Sequence, residues 1–429
     1  MRLARQPIKT MNNSDWTKSK LGDLLTFKNG LNKGVEFFGH GTPIVNYMDV
    51  NKNSFVTKSS IKGLVEVTQS EKLNCGAQKG DIFFTRTSET LEEIGLSSVL
   101  IDEIDSCVFS GYVLRGRPKV SKLLPEYCKY CFRVPSIRKE IMRKSSMTTR
   151  ALTNGRFLSE VDFTYPVLNE QKWIVSILET WDDYLRMLDK KIEFKKNIQK
   201  GLLQQLLTNK LSLHGYGDSW RKVSLNKIGG FSKGAGITKD SLIDEGLPAV
   251  RYGELYTKHH VMINTIFSRI PKDISQTATA IIKGDILFAG SGETIEEIGK
   301  SAAYMLDDTA YAGGDIVIFR ANKANSYLFL AYLLNSASVR RELRRLGQGQ
   351  SVVHIYKRDL EQLQVAVPSK EEQSEIAEII RSADEEINGL IRKKDCVARQ
   401  KKYLLNNLIT GKIRVPDSLA TPLKEASYA

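Results

Sequence analysis

Two long heptad patterns, matched in length and phase, constrain this chain more than any other feature. Residues 174–206 and 376–408 each place apolar side chains at positions alternately four and three apart, and adding 202 to each position of the first pattern gives the second. An apolar repeat of 3.5 residues that continues for nearly five heptads is typical of a coiled-coil seam. At 1.5 Å per residue, each helix would be roughly 55–60 Å long with its ends.

The two seams can be written out position by position. The apolar positions of the first are Ile174, Leu178, Trp181, Leu185, Leu188, Ile192, Leu202 and Leu206. Those of the second are Ile376, Ile380, Ala383, Ile387, Leu390, Val397, Leu404 and Leu408. The polar positions, able to fix register, are Lys195, Gln199, Lys394 and Lys401. A single pattern of this kind would fit an amphipathic helix in a larger helical core about as well as it fits a coiled coil. Two matched patterns favour helices that pair with each other. Because a globular segment separates them, an antiparallel pair would place the two globular segments at opposite ends.

The globular segments before the two patterns are also copies of each other. Trp16 opens the first and Trp220 the second, an offset of 204, and the same offset aligns Lys-Gly-Asp-Ile-Phe-Phe at 79–84 with Lys-Gly-Asp-Ile-Leu-Phe at 283–288. Short strands bounded by Gly, Asn and Ser are followed by one predicted helix in each copy, at 126–143 and 327–346. The chain is therefore an α+β protein with an internal duplication near 200 residues, a period too long for a solenoid.

Both long helices have sequence signals at their ends. Asn169 is a predicted N-cap of the first, and Ser369 with Glu372 forms a predicted capping box of the second. Asn209 and Gly411 occupy matched positions after the helices and are the residue types that tolerate a left-handed C′ conformation.

Composition narrows the function classes. The net charge of +14 favours a polyanionic partner, most often nucleic acid, although a well-solvated basic protein is the ordinary alternative. The five cysteines form no disulfide framework, which fits a reducing cytoplasm, and Cys128 and Cys131 are interpreted as helix-packing thiols. We expect a cytoplasmic protein that is neither exported nor membrane-spanning, because no apolar run approaches eighteen residues.

Several enzyme signatures are incomplete. The stretch 284–294 looks like a phosphate loop, but Glu293 stands where the motif needs lysine. Glu193-Phe-Lys195 has the spacing of a nuclease metal site but lies inside the heptad pattern, and the histidines show no metal-ligand spacing. No catalytic residue and no metal ligand is predicted, and we expect a non-enzyme.

Candidate nucleic-acid contacts follow equivalent strands or lie at matched loop positions in both copies. Each residue alone fits a solvated surface better, and the repeated placement is what favours a DNA contact. The loops 36–75 and 239–276 share little, which predicts two different specificities, with unconstrained drift as the alternative. The predicted DNA-binding residues are Lys33, Asn46, Tyr47, Arg86, Thr87, Ser88, Arg150, Arg251, Tyr252, Ser291, Gln348 and Gln350.

The order of these features resembles the specificity (S) subunits of type I restriction-modification enzymes, over residues 16–415. The shared marks are the Lys-Gly-Asp-Ile stretches, the Ile-Gly pairs at 94–95 and 298–299, the Pro-x-x-x-x-Gln steps at 166–171 and 368–373, and Leu-Leu-Thr-Asn-Lys with Leu-Ile-Thr-Gly-Lys after the helices. The first copy departs in having Thr87-Ser88 where the second has a small Ser-Gly pair.

The resemblance implies two target recognition domains separated by two long helices that form an antiparallel coiled coil. The implied segments are a flexible N-terminus 1–15, recognition domain 1 at 16–168, the central helix at 169–213, recognition domain 2 at 214–367, the C-terminal helix at 368–415 and a flexible tail 416–429. Each domain would read one half of a split, asymmetric site, with major grooves about one helical turn, roughly 34 Å, apart.

The resemblance also implies partners. They would be double-stranded DNA, methyltransferase (M) subunits and, where the system has them, restriction (R) subunits. S-adenosylmethionine, ATP and Mg²⁺ would bind the partner subunits and no cofactor would bind this chain. The alternatives are a coiled-coil scaffold with two protein-binding modules, or the specificity subunit of a methylation-only or type IIB-like system.

Overall fold

The computed structural model of the chain describes residues 16–216, 220–292, 294–295, 297–348 and 353–415. They form two compact units. Unit 1 combines the chain up to Leu188 with the residues from Lys393 onward, and unit 2 is Asp189–Arg392. Each unit mixes strands with helices and contains a segment of both long helices. The predicted α+β class is confirmed.

Unit 1 is built from short elements that precede the first long helix. Its strands are β1 (Thr17–Lys20), β2 (Leu25–Asn29), β3 (Phe38–Val45), β4 (Phe55–Val56), β5 (Leu64–Val65), β6 (Gly76–Ala77), β7 (Ile82–Thr85), β8 (Thr87–Ser88), β9 (Ser97–Leu100), β10 (Cys107–Phe109), β11 (Val113–Pro118), β12 (Ser146–Met147), β13 (Ala151–Leu152) and β14 (Asp162–Tyr165). Its helices are α1 (Leu21–Leu24), α2 (Tyr47–Lys52), α3 (Gln69–Cys75), α4 (Pro125–Cys131), α5 (Pro135–Lys144) and α6 (Gly155–Ser159), and the long helix α7 (Leu168–Leu206) follows.

Unit 2 continues with a second set of the same kind. Its strands are β15 (Arg221–Ser224), β16 (Gly229–Lys233), β17 (Leu247–Val250), β18 (Met262–Ile263), β19 (Ser268–Ile270), β20 (Thr279–Ile281), β21 (Asp285–Ala289), β22 (Ser291–Gly292), β23 (Ser301–Tyr304), β24 (Ala310–Ala312), β25 (Ile316–Ala321), β26 (Val353–His354) and β27 (Gln364–Val367). Its helices are α8 (Leu225–Ile228), α9 (Tyr252–Thr257), α10 (Lys272–Ser275), α11 (Tyr327–Leu334), α12 (Ala337–Leu346) and α13 (Lys357–Glu361), and the second long helix is α14 (Lys370–Ile409).

The two units share one topology. The five-stranded sheet has the order β2-β11-β7-β9-β4 in unit 1 and β16-β25-β21-β23-β18 in unit 2. The four-stranded sheets, β5-β3-β10-β6 and β19-β17-β24-β20, place a parallel pair in their centre in both units. Central strands β7 and β21 are buried along their whole length. The matching strand order supports the duplication independently of the sequence motifs.

Two predicted helices are wrong in extent, because each is broken into two. The helix predicted at 126–143 is α4 and α5, and the break lies at Pro135, whose missing N–H cannot continue the hydrogen-bond ladder. The helix predicted at 327–346 is α11 and α12. There Ser336 starts a new helix by accepting the backbone N–H of Val339 at 3.4 Å, while the Asn335 amide donates to the carbonyl of Ala331 at 2.9 Å.

Helices α7 and α14 pair in antiparallel fashion, as predicted. In unit 1, Ile174 and Leu178 of early α7 share a buried cluster with Leu408 of late α14. In unit 2, Leu206 of late α7 shares one with Ile376 of early α14. Ten predicted seam side chains are buried and the other six are half-buried: Trp181, Leu185, Leu202, Ala383, Leu390 and Leu404.

Lys401, Gln199 and Lys195, three of the predicted polar seam positions, make specific bonds across the helix pair. Lys401 pairs with Asp182 in unit 1, and Gln199 donates to Asp384 in unit 2. Lys195 pairs with Glu386 at 2.8 Å, with both side chains partly exposed. These contacts are specific to one alignment, so they favour a single register.

The two C-terminal predictions for the long helices hold, whereas only half of the capping box predicted at Ser369 and Glu372 forms, since the Glu372 carboxylate accepts from Trp220 and not from the backbone of Ser369. Asn209 and Gly411 adopt left-handed conformations, with φ of 53° and 68°. The backbone N–H of Glu372 donates to the Ser369 hydroxyl at 3.3 Å. The prediction of Asn169 as an N-cap is wrong, because α7 already begins at Leu168.

A buried aspartate explains the repeated Lys-Gly-Asp stretch. Asp81 accepts two hydrogen bonds from Arg117, both at 2.7 Å, and caps the backbone N–H of Gln78 at 2.8 Å. In unit 2, Asp285 accepts two bonds from Arg320 at 2.6 Å. Both carboxylates are fully buried. The motif therefore stabilises the start of the central strand in both copies.

Within the described ranges, no helix has the length and apolar character needed to cross a membrane. Cys128 and Cys131 are buried in α4, consistent with packing thiols, and burial raises the pKa of Cys131 well above its ordinary value.

Candidate nucleic-acid interface

The loop after β7 carries three of the predicted contacts, and most of its polar groups bond within unit 1. The Arg86 guanidinium donates to the carbonyl of Gly111 at 3.2 Å, and the Ser88 hydroxyl donates to the carbonyl of Thr90. Thr87 is half-buried, and β8 pairs with β13 so that Thr87 stands opposite Leu152. Of these three side chains, that of Thr87 makes the fewest hydrogen bonds with the rest of the described chain.

Arg150 lies on the exposed turn before β13. It pairs with Glu89 at 2.9 Å, and both side chains are largely exposed. An exposed ion pair contributes only about 0–1 kcal/mol, so Arg150 can exchange Glu89 for a phosphate at small cost. The neighbouring apolar side chains Met147 and Leu152 are also exposed. This small β-ribbon is the surface of unit 1 best suited to contact a duplex.

Three other predicted contacts of unit 1 have internal partners. The Lys33 ammonium pairs with Glu71 at 2.9 Å and donates to the carbonyl of Glu66 at 2.8 Å. Asn46 precedes α2, and its backbone N–H donates to Asp49 at 2.8 Å. The Tyr47 hydroxyl accepts from Asn51 at 3.3 Å, and burial raises the pKa of that phenol. These contacts anchor the loops themselves.

Unit 2 places Ser291 at the equivalent of Thr87, on β22 opposite His354 of β26. The two side chains are hydrogen-bonded, with 3.2 Å between the Ser291 hydroxyl and His354 Nδ1. The backbone N–H of Ile355 donates to the carbonyl of Gly290 at 2.9 Å, which fixes the strand that carries the histidine. The imidazole is thus held in one place by both backbone and side chain.

A cleft of about 650 Å³ opens beside this pair. Three cations and two carboxylates line it, together with the ring of Tyr356, which is 47% exposed. The charged lining residues are Lys233, Lys357, Arg358, Asp315 and Glu361. Their ion pairs are long or missing: Lys357 lies 3.7 Å from Glu361, and Lys233 forms no ion pair with any described residue. Its cations therefore keep most of their attraction for an external anion.

Aromatic and cationic side chains stack at the cleft. The rings of His354 and Tyr356 have centroids 6.3 Å apart and an interplanar angle of 22°. The Arg358 guanidinium lies 5.3 Å from the centre of the Tyr356 ring. Flat rings beside cations are suited to contact bases and phosphates together.

The remaining predictions in unit 2 fall at other places. Arg251 donates from Nε to the Ser268 hydroxyl at 3.2 Å, while Tyr252 beside it is exposed. Gln348 exchanges backbone hydrogen bonds with His354, at 2.9 and 2.7 Å, and its side chain is exposed. Gln350 lies outside the described residues.

Four residues of this cleft, His354, Tyr356, Lys233 and Arg358, are not among the contacts predicted from the sequence. One signal was present: the 202-residue offset places Leu152 and His354 at the same register, so a polar residue replaces an apolar one at a repeated surface position. Within the described residues, no group of three or more His, Cys, Asp or Glu is arranged to hold a metal ion.

A family model described as the type I restriction modification DNA specificity domain matches the chain twice, at residues 13–199 and 217–395. A provisionally named type I restriction enzyme specificity subunit, MjaX of Methanocaldococcus jannaschii, is 23% identical over 426 residues, which cover 94% of both chains.

Solved structures show the same fold. The S subunit of a type I restriction-modification system from M. genitalium superposes with a TM-score of 0.53 at 15% identity, over 94% of this chain and 99% of that one. A chain from a study of complex assembly and conformational transition in a type I system gives 0.59 at 16% identity, over 93% and 98%.

Proposed function

This chain is a member of the type I restriction-modification DNA specificity family, and we propose that it selects the DNA sequence on which a restriction-modification complex acts. Unit 1 reads one half of a split, asymmetric site and unit 2 reads the other. The observation that carries this proposal is a pair of units with one topology and different side chains at one register, Thr87 with Leu152 and Ser291 with His354.

The charge of the chain supports a DNA partner. Its formal charge of +14 attracts the phosphate backbone, and phosphate contacts supply affinity without sequence information. Sequence must then be read by side chains that reach base edges, and those differ between the two units. One topology with two sets of surface side chains is what two unlike half-sites require.

We propose that the chain has no catalytic activity of its own. Methyltransferase subunits bring S-adenosylmethionine and methylate adenine, and restriction subunits, where the system has them, bring ATP-driven translocation and cleavage with Mg²⁺. The relatives support this division of labour by name, since they are called specificity subunits. The paired helices α7 and α14 are the elements we assign to holding the methyltransferase subunits.

Methylation assays test the proposal. The purified chain with S-adenosylmethionine should not methylate DNA, and addition of the methyltransferase subunits of the same system should produce adenine methylation at one split sequence. Methylation by the isolated chain, or a continuous methylated sequence with no unread spacer, would contradict the proposal.

A salt titration separates DNA recognition from a scaffold role. If the chain with its methyltransferase partner makes six or more phosphate contacts, its affinity for duplex DNA should fall by about 10³-fold or more between 50 and 200 mM salt. A scaffold with two protein-binding modules would show no specific duplex affinity to lose.

A further inference from the structure

We infer that His354 and Tyr356 read bases in the half-site of unit 2, with Lys233, Lys357 and Arg358 holding the adjoining phosphates. This inference rests on the proposed function and names the side chains that give one of the two units its specificity. It starts from the cleft beside β22 and β26, where these five side chains meet.

The histidine is prepared for recognition by its bond to Ser291. That bond occupies Nδ1 at 3.2 Å, while Nε2 makes no hydrogen bond within the described part of the chain. A neutral imidazole has one donor and one acceptor nitrogen, so the direction of the Ser291 bond sets whether Nε2 donates or accepts. A held ring with one nitrogen left for a ligand can distinguish a base acceptor from a base donor.

Tyr356 and Arg358 add a flat, charged surface beside that nitrogen. The tyrosine is 47% exposed although its ring contacts both His354 and Arg358. An exposed aromatic ring can contact DNA without breaking contacts within the protein. The Arg358 guanidinium near the ring can approach a phosphate because its side chain is 74% exposed and its contact with the carboxylate of Asp359 is long, at 3.8 Å.

The equivalent surface of unit 1 has different chemistry. Leu152 replaces His354 opposite Thr87, and Leu152 is 38% exposed. Asn154 occupies the position of Tyr356, and its side chain accepts the backbone N–H of Phe157 at 3.0 Å as a helix cap. Unit 1 thus offers an apolar contact, suited to a thymine methyl, where unit 2 offers a ring nitrogen.

A catalytic role for the Ser291–His354 pair fits the geometry less well. A serine nucleophile works with a histidine that a third group orients, and no described carboxylate bonds to this ring. Ser291 is also only 6% exposed, which leaves its hydroxyl poorly placed for attack on a substrate. Recognition requires access to the imidazole alone.

Two substitutions separate the nitrogen atoms of the ring. His354→Asn places an amide near the position of Nδ1, so it keeps the bond to Ser291. It has no polar atom at the position of Nε2, so the proposed contact with the base is lost. His354→Gln places an amide near Nε2 and loses the bond to Ser291. His214→Ala, an exposed histidine outside the strands and helices, is the matched control.

Each variant is expressed with the methyltransferase subunit of its own system in cells without other adenine methylation, and the methylated motif is read by sequencing native DNA. His354→Asn should relax the preference at one base position of one half-site by about tenfold and leave the other half unchanged. His354→Gln should retain part of that preference, and His214→Ala should reproduce the wild-type motif.

Two further variants keep the test decisive. Tyr356→Ala, at an exposed position outside the β22–β26 pair, should alter the same half-site as His354→Asn. Leu152→Ala in unit 1 should alter the other half. If His354→Asn and Tyr356→Ala write the wild-type motif, or alter the same half as Leu152→Ala, the inference is overturned and the proposed function stands. If the wild-type complex writes no split motif, both are overturned.

Discussion

The two units satisfy matched acidic side chains in different ways. In unit 1, Asp182 accepts the hydroxyl of Tyr130 at 2.8 Å and pairs with the Lys401 ammonium. In unit 2, Asp384 accepts the hydroxyl of Tyr332 at 2.5 Å but its second partner is the neutral amide of Gln199. Adding or subtracting 202 relates every member of the two sets.

The same contrast recurs at the start of the long helices. Glu170 accepts the indole N–H of Trp16 at 3.2 Å and two bonds from Arg414 at 2.7 and 2.9 Å. Glu372 accepts the indole N–H of Trp220 at 3.4 Å, and its other oxygen has no hydrogen-bond partner among the described residues. Unit 1 therefore depends on cations from the C-terminal end of the chain, whereas unit 2 uses neutral donors.

The largest effect is expected from Arg414→Met. Glu170 and Arg414 are 9% and 12% exposed, so the substitution leaves a buried carboxylate whose remaining hydrogen-bond donor among the described residues is Trp16. Unit 1 should lose about 3 kcal/mol of unfolding free energy, as for other broken buried pairs. Hydrogen exchange in β1 and β14, read against unit 2, measures this loss.

Glu170→Gln in the Arg414→Met background is the control, because it removes the uncompensated charge. It should restore most of the protection in β1 and β14. If Arg414→Met leaves exchange in unit 1 unchanged, the cation has no part in the stability of that unit.

The second prediction compares the matched tyrosines. Tyr332→Phe leaves Asp384 with one neutral donor, whereas Tyr130→Phe leaves Asp182 paired with Lys401. A hydrogen bond to a charged group contributes about 1.5–3 kcal/mol, so Tyr332→Phe should cost about 2 kcal/mol and Tyr130→Phe less. Unfolding free energies measured for each unit by hydrogen exchange as a function of denaturant show which substitution costs more. Equal costs would show that the ion pair with Lys401 does not compensate Asp182 for the lost hydrogen bond.

The paired long helices were predictable because long periodic patterns of apolar residues specify them. Two seams with the same phase over nearly five heptads leave few alternatives to paired helices, and the left-handed positions of Asn209 and Gly411 follow from residue type. The break at Pro135 was also visible in the sequence, but the apolar face continues across it, and the pattern predicts one helix.

The candidate interface was less predictable, because its groups come together only in the folded chain. Ser291 and His354 are 63 residues apart, and β22 and β26 each contain two residues. Strands this short carry no periodic signal. Lys33 and Ser88 illustrate the converse: both are polar residues in loops, and only the structure shows their internal partners.

The third prediction concerns alkaline pH. Burial and the bonds to Asp182 and Asp384 raise the pKa of Tyr130 and of Tyr332 above the ordinary value of 10.0. A raised folded-state pKa gives stability that is complete below the unfolded-state value and is lost as pH rises above it. Each tyrosine should therefore cost about 1.4 kcal/mol of unfolding free energy between pH 8 and pH 11.

The phenylalanine variants test this origin of the alkaline loss. Tyr130→Phe and Tyr332→Phe should each flatten the decline between pH 8 and pH 11 in the unit that carries the change. A decline of the same slope in both variants and the wild type would assign the alkaline sensitivity to other groups.

The smallest effect, a gain, is expected when unit 2 is given the cation that unit 1 has. The chain follows the same course after both long helices: Leu211 donates to the carbonyl of Gln205 and Ile413 to that of Asn407, at 3.3 and 3.1 Å. Leu213 then packs against the core of unit 2. Ser212 therefore corresponds to Arg414.

Ser212→Arg should bring a guanidinium to the oxygen of Glu372 that lacks a partner. Glu372 is 2% exposed, but the new arginine must give up side-chain freedom at an exposed position, so the expected gain is about 1 kcal/mol. Hydrogen exchange in β15 and β27 measures it. The gain should vanish in Ser212→Arg combined with Glu372→Gln, since a double-mutant cycle isolates the pair. If the gain persists in the Glu372→Gln background, the arginine stabilises unit 2 without pairing with Glu372. The missing cation would then not explain the difference between the two units.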